Sequence, residues 1–168
     1  MSQNPSQGGC PHIEISLTEQ TLSLWLNASD APIVYPVSTA RNGAGELNGS
    51  GCTPRGKHYI RARIGAGEPL NTVFVGRRPT GEILTPELAA RCPNRDWILT
   101  RILWLCGCEP GRNRLGKVDS FRRFIYIHGT PDIEPMGIPE SHGCIRMRNQ
   151  QVIDLFNQIK PGTPVTIA

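Results

Sequence analysis

The densest gathering of reactive side chains in this chain is Ser141-His142-Gly143-Cys144-Ile145-Arg146, preceded across one long loop by His128-Gly129-Thr130. A cysteine becomes a nucleophile only when a partner takes its proton or stabilises the thiolate. Backbone N–H groups must also meet the oxyanion that forms on the attacked carbonyl. Cys144 and His128 are the pair that could do this work. Gly143 lets the backbone approach a substrate closely and adopt φ values that other residues avoid. The chemistry is acyl transfer through a thioester. Taken singly, each residue has a plainer reading, since a cysteine is often a small buried hydrophobe and a histidine a satisfied structural group. Their concentration in one short stretch favours catalysis.

These residues must be held by rigid elements. Residues 12–17 and 21–26 alternate apolar and polar at period two around Thr18-Glu19-Gln20, which predicts a hairpin. Residues 33–38 read as a third strand that Pro36 sends to an edge or bulge. The Gly-rich stretch 42–51 is loop, and Thr53-Pro54-Arg55-Gly56 turns into a strand over 57–64. Residues 72–75 form a short strand, and 86–92 one or two helical turns with Pro86 at N1. The apolar run 97–105 is a buried strand or a helix segment, which periodicity does not separate. Residues 112–120 read as polar loop. A strand over 123–127 ends at His128, and residues 129–140 follow as a long loop. Residues 149–160 place Val152, Ile153, Phe156 and Ile159 on one helical face, with Asn149 as N-cap and Lys160-Pro161-Gly162 as the stop. A last strand covers 164–167. The fold is therefore mainly β, mostly antiparallel, with one or two helices.

The 168 residues suit one domain, taken as 12–168 behind a flexible N-terminus at 1–11. The 18 Gly and 15 Pro agree with a turn-rich β fold. Lys plus Arg exceed Asp plus Glu by 18 − 14 = 4, a scattered excess that argues against nucleic acid and is compatible with an acidic substrate. No apolar run reaches the roughly 18 residues of a membrane-spanning helix, so no membrane partner is expected. The N-terminus has neither a basic start nor an apolar stretch, which points to the cytoplasm, or to the periplasm if a leader has been removed. The six cysteines are accordingly expected to be mostly reduced. Cys106-Gly107-Cys108 with Cys92 has the wrong spacing for zinc, and no metal is expected; a Cys106–Cys108 or Cys92–Cys106 disulfide is the other alternative.

The segment Ile127-His128-Gly129-Thr130 followed by Ser141-His142-Gly143-Cys144-Ile145-Arg146-Met147 resembles the L,D-transpeptidase catalytic domain family, the YkuD type. The opening hairpin with Gln20, the Thr53-Pro54-Arg55-Gly56 turn and the closing Pro161-Gly162-Thr163-Pro164-Val165 are similar too, so the resemblance covers nearly the whole chain. It implies a β-sandwich-like catalytic fold and acyl transfer on peptidoglycan stem peptides (muropeptides). It implies no metal or organic cofactor, and acylation by carbapenem-type inhibitors. Cys144 would be the nucleophile and His128 the proton acceptor and donor. The Gly129 carbonyl would orient His128 through its other ring nitrogen. The amides of His142, Gly143 and Cys144 would form the oxyanion hole. Arg146 and Ser141 are the candidate substrate-binding residues, with Ser141 and His142 otherwise positioning the turn. Family members carry Asn or Arg at the position of Arg146, which leaves its role open between a substrate carboxylate and a structural ion pair.

By this resemblance Cys144 attacks the carbonyl of the L-centre of stem residue 3, diaminopimelate, and D-Ala leaves. Water as acceptor gives L,D-carboxypeptidation, the activity of signal-less relatives that trim tetrapeptides in murein recycling. An amine from a second stem gives a 3→3 crosslink. A non-catalytic wall-binding module is disfavoured by the intact His128 and Cys144. Another thiol peptidase family is disfavoured because those place Cys before His. Arg122 and Arg123 read as solvated surface, His12 and His58 as structural or exposed. Trp97 and Trp104 read as core, with a wall of the substrate cleft as the alternative.

Overall fold

The period-two segments become strands of one sheet in the computed structural model, which describes residues 9–168. The expected flexible N-terminus lies, over residues 1–8, outside the described residues. Strands β1 (His12–Ser16) and β2 (Thr21–Trp25) pair as the expected hairpin. Their alternation puts Ile13, Ile15, Leu22 and Leu24 in the core. Among the described residues β3 (Ile33–Pro36) pairs only with β2, and its proline sits on the sheet edge, where a missing N–H costs no ladder bond. β4 (Gly56–Ile64), β5 (Thr72–Val75) and β6 (Arg78–Ile83) follow. α1 (Pro86–Arg91) starts with Pro86 behind an N-cap, Thr85, whose Oγ1 accepts the Leu88 N–H at 3.2 Å.

The apolar run is a strand, β7 (Ile98–Gly107), and it organises the catalytic half. Ile102 pairs with Ile64 of β4 and with His128, so β4 and the His128 strand occupy opposite edges of β7. That second strand is β8 (Tyr126–Gly129), and β9 (Ile145–Met147) runs parallel beside it. α2 (Asn149–Gln158) and β10 (Pro164–Ile167) complete the chain, with β10 parallel to β1 and antiparallel to β4. All ten strands belong to one continuous sheet. The sandwich-like packing comes from the curl of that sheet: residues of β1, β2, β4, β7, β8, β9, β10 and α2 meet in one core.

Several local expectations need correction. The strand expected over 123–127 begins at Tyr126, because Phe124 takes φ +57 in a turn. β6 and β9 fall where loop or no element was expected, and the loop 112–120 contains a short 3-10 turn, Gly116–Val118. Asn149 is not the cap of α2: Arg148 holds that position, and the Asn149 side chain is buried among tertiary partners. Leu155 joins Val152 and Phe156 on the buried face of α2, while Ile153 is only half-buried.

Candidate active site

Alternation on two parallel strands places the reactive groups together. Ile127 registers with Ile145 and His128 with Arg146. Ile125, Ile127, Ile145 and Met147 turn into the core. The intervening Tyr126, His128, Cys144 and Arg146 therefore share the opposite face. All four line a cavity of about 400 Å³, together with Asp96 and Arg77 among others.

His128 is buried, and its Nδ1 lies 2.6 Å from the Gly129 carbonyl oxygen. A carbonyl only accepts, so Nδ1 carries the proton and Nε2 keeps the free lone pair. Burial holds the His128 pKa below the usual histidine value, partly offset by the Gly129 bond. Burial likewise pushes the Cys144 thiol up to about 12. The Tyr126 N–H donates to Cys144 Sγ at 3.3 Å, and Sγ donates to the Phe124 carbonyl at 3.3 Å. At neutral pH the site thus holds a neutral thiol and a neutral imidazole rather than a preformed ion pair.

The turn that carries Cys144 is pinned from two sides. Ser141 Oγ donates to the Cys144 carbonyl at 2.5 Å and accepts the Gly143 N–H at 3.2 Å. Its hydroxyl is therefore engaged in shaping the turn, while Ser141 also lines the cavity beside Cys144 and Arg146. The Gly143 amide is turned toward Ser141 as well. Gly143 takes φ +135, and a Cβ there would lie 3.3 Å from the Cys52 carbonyl oxygen. From below, buried Thr53 donates through Oγ1 to the Gly143 carbonyl at 2.9 Å and accepts the Ala40 N–H at 3.0 Å. Thr53→Val keeps the shape and strands both backbone groups, so a loss of about 2–4 kcal/mol is expected at roughly 1–2 per group. Urea unfolding tests this: the midpoint falls while the slope m stays constant.

Arg123 is not solvated surface. Its guanidinium donates to the carbonyls of Gly45 at 3.2 Å, Glu46 at 3.1 Å and Cys52 at 2.7 Å, clamping the Gly-rich loop behind the turn. Arg122 is exposed as expected. Arg146 is buried in the cavity wall, 3.2 Å from Asp96 and 4.0 Å from Glu134. His142, largely exposed, places Nδ1 3.5 Å from the other Asp96 oxygen. Trp97 is buried with Val73 and Leu99. Trp104 stacks on Phe121 at 4.0 Å and meets Tyr126 edge-on at 5.7 Å, behind the cavity. All six cysteines are unpaired, and among the described residues no three His, Cys, Asp or Glu side chains gather as metal ligands.

Buried neutral histidines make stability pH-dependent. His58 is also buried, with Nδ1 3.0 Å from the Gly56 carbonyl and Nε2 2.8 Å from Ser120 Oγ, and burial lowers its pKa. Both histidines stay neutral in the folded state below pH 6.5, where the unfolded chain takes up protons. The unfolded state binds more protons there, so stability falls as pH drops below 6.5. The depressed carboxylates Glu46, Glu82 and Glu109 add their loss only below 4.5. A flat melting temperature from pH 8 to 7 and a decline between 6.5 and 4.5 are expected from thermal melts. A flat profile through that window would contradict the neutral assignments.

The family model of the YkuD L,D-transpeptidase catalytic domain matches residues 11–167. The chain belongs to this family. It is 25% identical over 155 residues to the probable L,D-transpeptidase YcfS of Escherichia coli, covering 92% of the chain but 43% of that relative, so it spans under half of its length. Among solved structures, the L,D-transpeptidase of Xylanimonas cellulosilytica matches with a TM-score of 0.54 at 17% identity, over 100% of this chain and 65% of that one. LdtMt1 in complex with imipenem matches at 0.55 and 16% identity, over 94% and 58%. These likenesses show the same mainly β, curled-sheet architecture.

Within this L,D-transpeptidase domain, three residues hold the site in roles that the sequence reading did not assign them. Asp96 balances Arg146 from fifty positions away. Thr53 supports the Cys144 turn. Buried Asn149 accepts from Thr100 Oγ1 at 2.7 Å and donates to the Thr130 carbonyl at 2.9 Å, fixing the strand end just past His128. An Asn just ahead of an apolar-periodic segment looks like a helix cap by type, and only the fold distinguishes the two roles.

Proposed function

We propose that Cys144 and His128 carry out cysteine acyl transfer on peptidoglycan tetrapeptide stems. The observation that carries this reading is that a neutral His128, its Nδ1–H fixed on Gly129, offers a bare Nε2 to the cavity that Cys144 also lines. Cys144 Sγ leaves Phe124 and gives its proton to His128 Nε2 as it attacks the carbonyl of the L-centre of residue 3. With the Gly143 amide turned toward Ser141, the oxyanion falls to the amides of His142 and Cys144. The tetrahedral intermediate collapses, the C–N bond breaks, and D-Ala departs with the proton from Nε2. His128 then deprotonates the acceptor, which attacks the thioester and releases Cys144.

Water is the acceptor we favour: the cavity of about 400 Å³ suits one stem end and opens to solvent. The activity is then that of an L,D-carboxypeptidase in cytoplasmic murein recycling. A second cavity of about 310 Å³ meets the first at Asp96, His142 and Arg146, which leaves room for a second stem beside the first. It favours a second reading, an amine acceptor and 3→3 crosslinking outside the cytoplasm. Incubating the protein with disaccharide-tetrapeptide, with and without an amine acceptor, separates the two by product mass. Loss of D-Ala alone supports hydrolysis, and dimers would overturn it in favour of crosslinking.

A further inference from the structure

The hairpin joining β5 and β6 turns on Gly76 and Arg77, since Val75 pairs with Arg78. Both turn residues are left-handed, at φ +56 and +64. A two-residue turn of this kind favours Asn-Gly or Gly-Gly, and a long side chain at φ > 0 is uncommon and strained. The strained residue here is an arginine that reaches back over the catalytic cavity. Its guanidinium lies 4.7 Å from the Trp104 ring centre and 4.9 Å from that of Phe124, and Nη1 donates to Tyr126 Oη at 3.1 Å.

Charge balance in the cavity isolates this residue. Arg146 is paired with Asp96. Arg77 forms no ion pair among the described residues, although it lines the same cavity as Cys144 and His128. The aromatic rings orient the guanidinium without neutralising it, and four of its five N–H donors stay available for a planar anion.

We propose that Arg77 receives the terminal carboxylate of the leaving residue, and so selects stems that end in a free carboxylate. The inference rests on the acyl-transfer reading of this site and deepens it. Tyr126 sets the range: its N–H meets Cys144 Sγ at 3.3 Å and its hydroxyl meets Arg77 at 3.1 Å, so nucleophile and guanidinium are separated by at most one tyrosine and a contact at each end. A chain advances about 3.8 Å per residue, which puts the carboxylate of the residue next to the attacked carbonyl within that range. The side-chain carboxylate of diaminopimelate is a poorer match, because an ammonium group accompanies it and Arg77 would repel that group.

The test compares a tetrapeptide stem ending in D-Ala with the same stem ending in D-alaninamide, reading the released amine by mass. The wild-type protein is expected to favour the acid by roughly 10- to 100-fold in kcat/KM, the scale of a charge-assisted bidentate pair. Arg77→Gln should bring the acid-to-amide ratio near one, chiefly by raising KM for the acid, and Arg77→Lys should keep part of the preference. An unmoved ratio in Arg77→Gln would overturn the assignment. So would an equal fall on both substrates, which marks a hairpin latch. If the wild-type protein releases neither product, the acyl-transfer reading itself fails and the role of Arg77 falls with it. Release with an unmoved ratio removes only Arg77.

Discussion

Cys144→Ala is expected to lower D-Ala release from a tetrapeptide stem by about 10⁴-fold or more in kcat, the loss typical of removing a covalent nucleophile. Folding should be little affected, because Cys144 is half-buried and its two hydrogen bonds, to Tyr126 and Phe124, are weak ones made by sulfur. His128→Gln should cost about 10²–10⁴-fold, the range for a lost general base. The double variant should be no worse than Cys144→Ala alone, since the two groups act in one step. The neutral pair adds a second signature. With the thiol pushed up to about 12, alkylation of Cys144 by iodoacetamide should keep accelerating with pH through 10. A rate that levels off near pH 5 would mean a preformed thiolate–imidazolium pair and would contradict the neutral assignment.

Gly129→Ala is the second large effect, and it separates two reasons for a glycine beside the base. The residue does not need an unusual φ; it lacks room. A Cβ at 129 would lie 2.7 Å from the Leu99 carbonyl oxygen, and closer still to Asn149 Oδ1. Neither neighbour yields easily, because Leu99 belongs to β7 and Asn149 is held by Thr100 and Thr130. A loss of about 1–3 kcal/mol is expected from overpacking. The Gly129 carbonyl that holds His128 Nδ1–H moves with the backbone, so a displacement near 1 Å would cost about 10²-fold in rate. Thermal melts and stem turnover measured together should both fall. Adding Asn149→Ala removes one of the two clashes and should restore less than half of the stability, because the Leu99 contact remains and the Thr100 and Thr130 groups lose their partner.

What could be read from the chain, and what could not, follows from range. The β1–β2 hairpin was legible because its two strands alternate cleanly and sit beside each other in sequence. Pro36 announced an edge for the reason it occupies one. Cys144 and His128 were legible by chemical type and by resemblance. β9 was not, because three residues between a turn and a helix carry too little pattern. β6 was not, because nearly all its residues are exposed and neither face alternates. Arg122 and Arg123 look alike in sequence, yet only Arg123 meets the carbonyls of a loop some seventy positions earlier. Thr100 is a β-branched residue at φ +72, in the bulge where β7 shifts register between Leu99 and Ile102. Nothing local predicts that strain; its hydroxyl is what anchors Asn149. The residues proposed to do the chemistry were thus visible, and those that hold them in place were mostly fixed by contacts distant in sequence.

The central claim, a thioester on Cys144 formed with loss of D-Ala, is met most directly by acid-quenched mass spectrometry of the intact protein during turnover of a tetrapeptide stem. An adduct equal to the stem minus D-Ala is expected, located on the peptide containing Cys144 and absent from Cys144→Ala. Release of D-Ala by Cys144→Ala at the wild-type rate, or an adduct on any other residue, would contradict it.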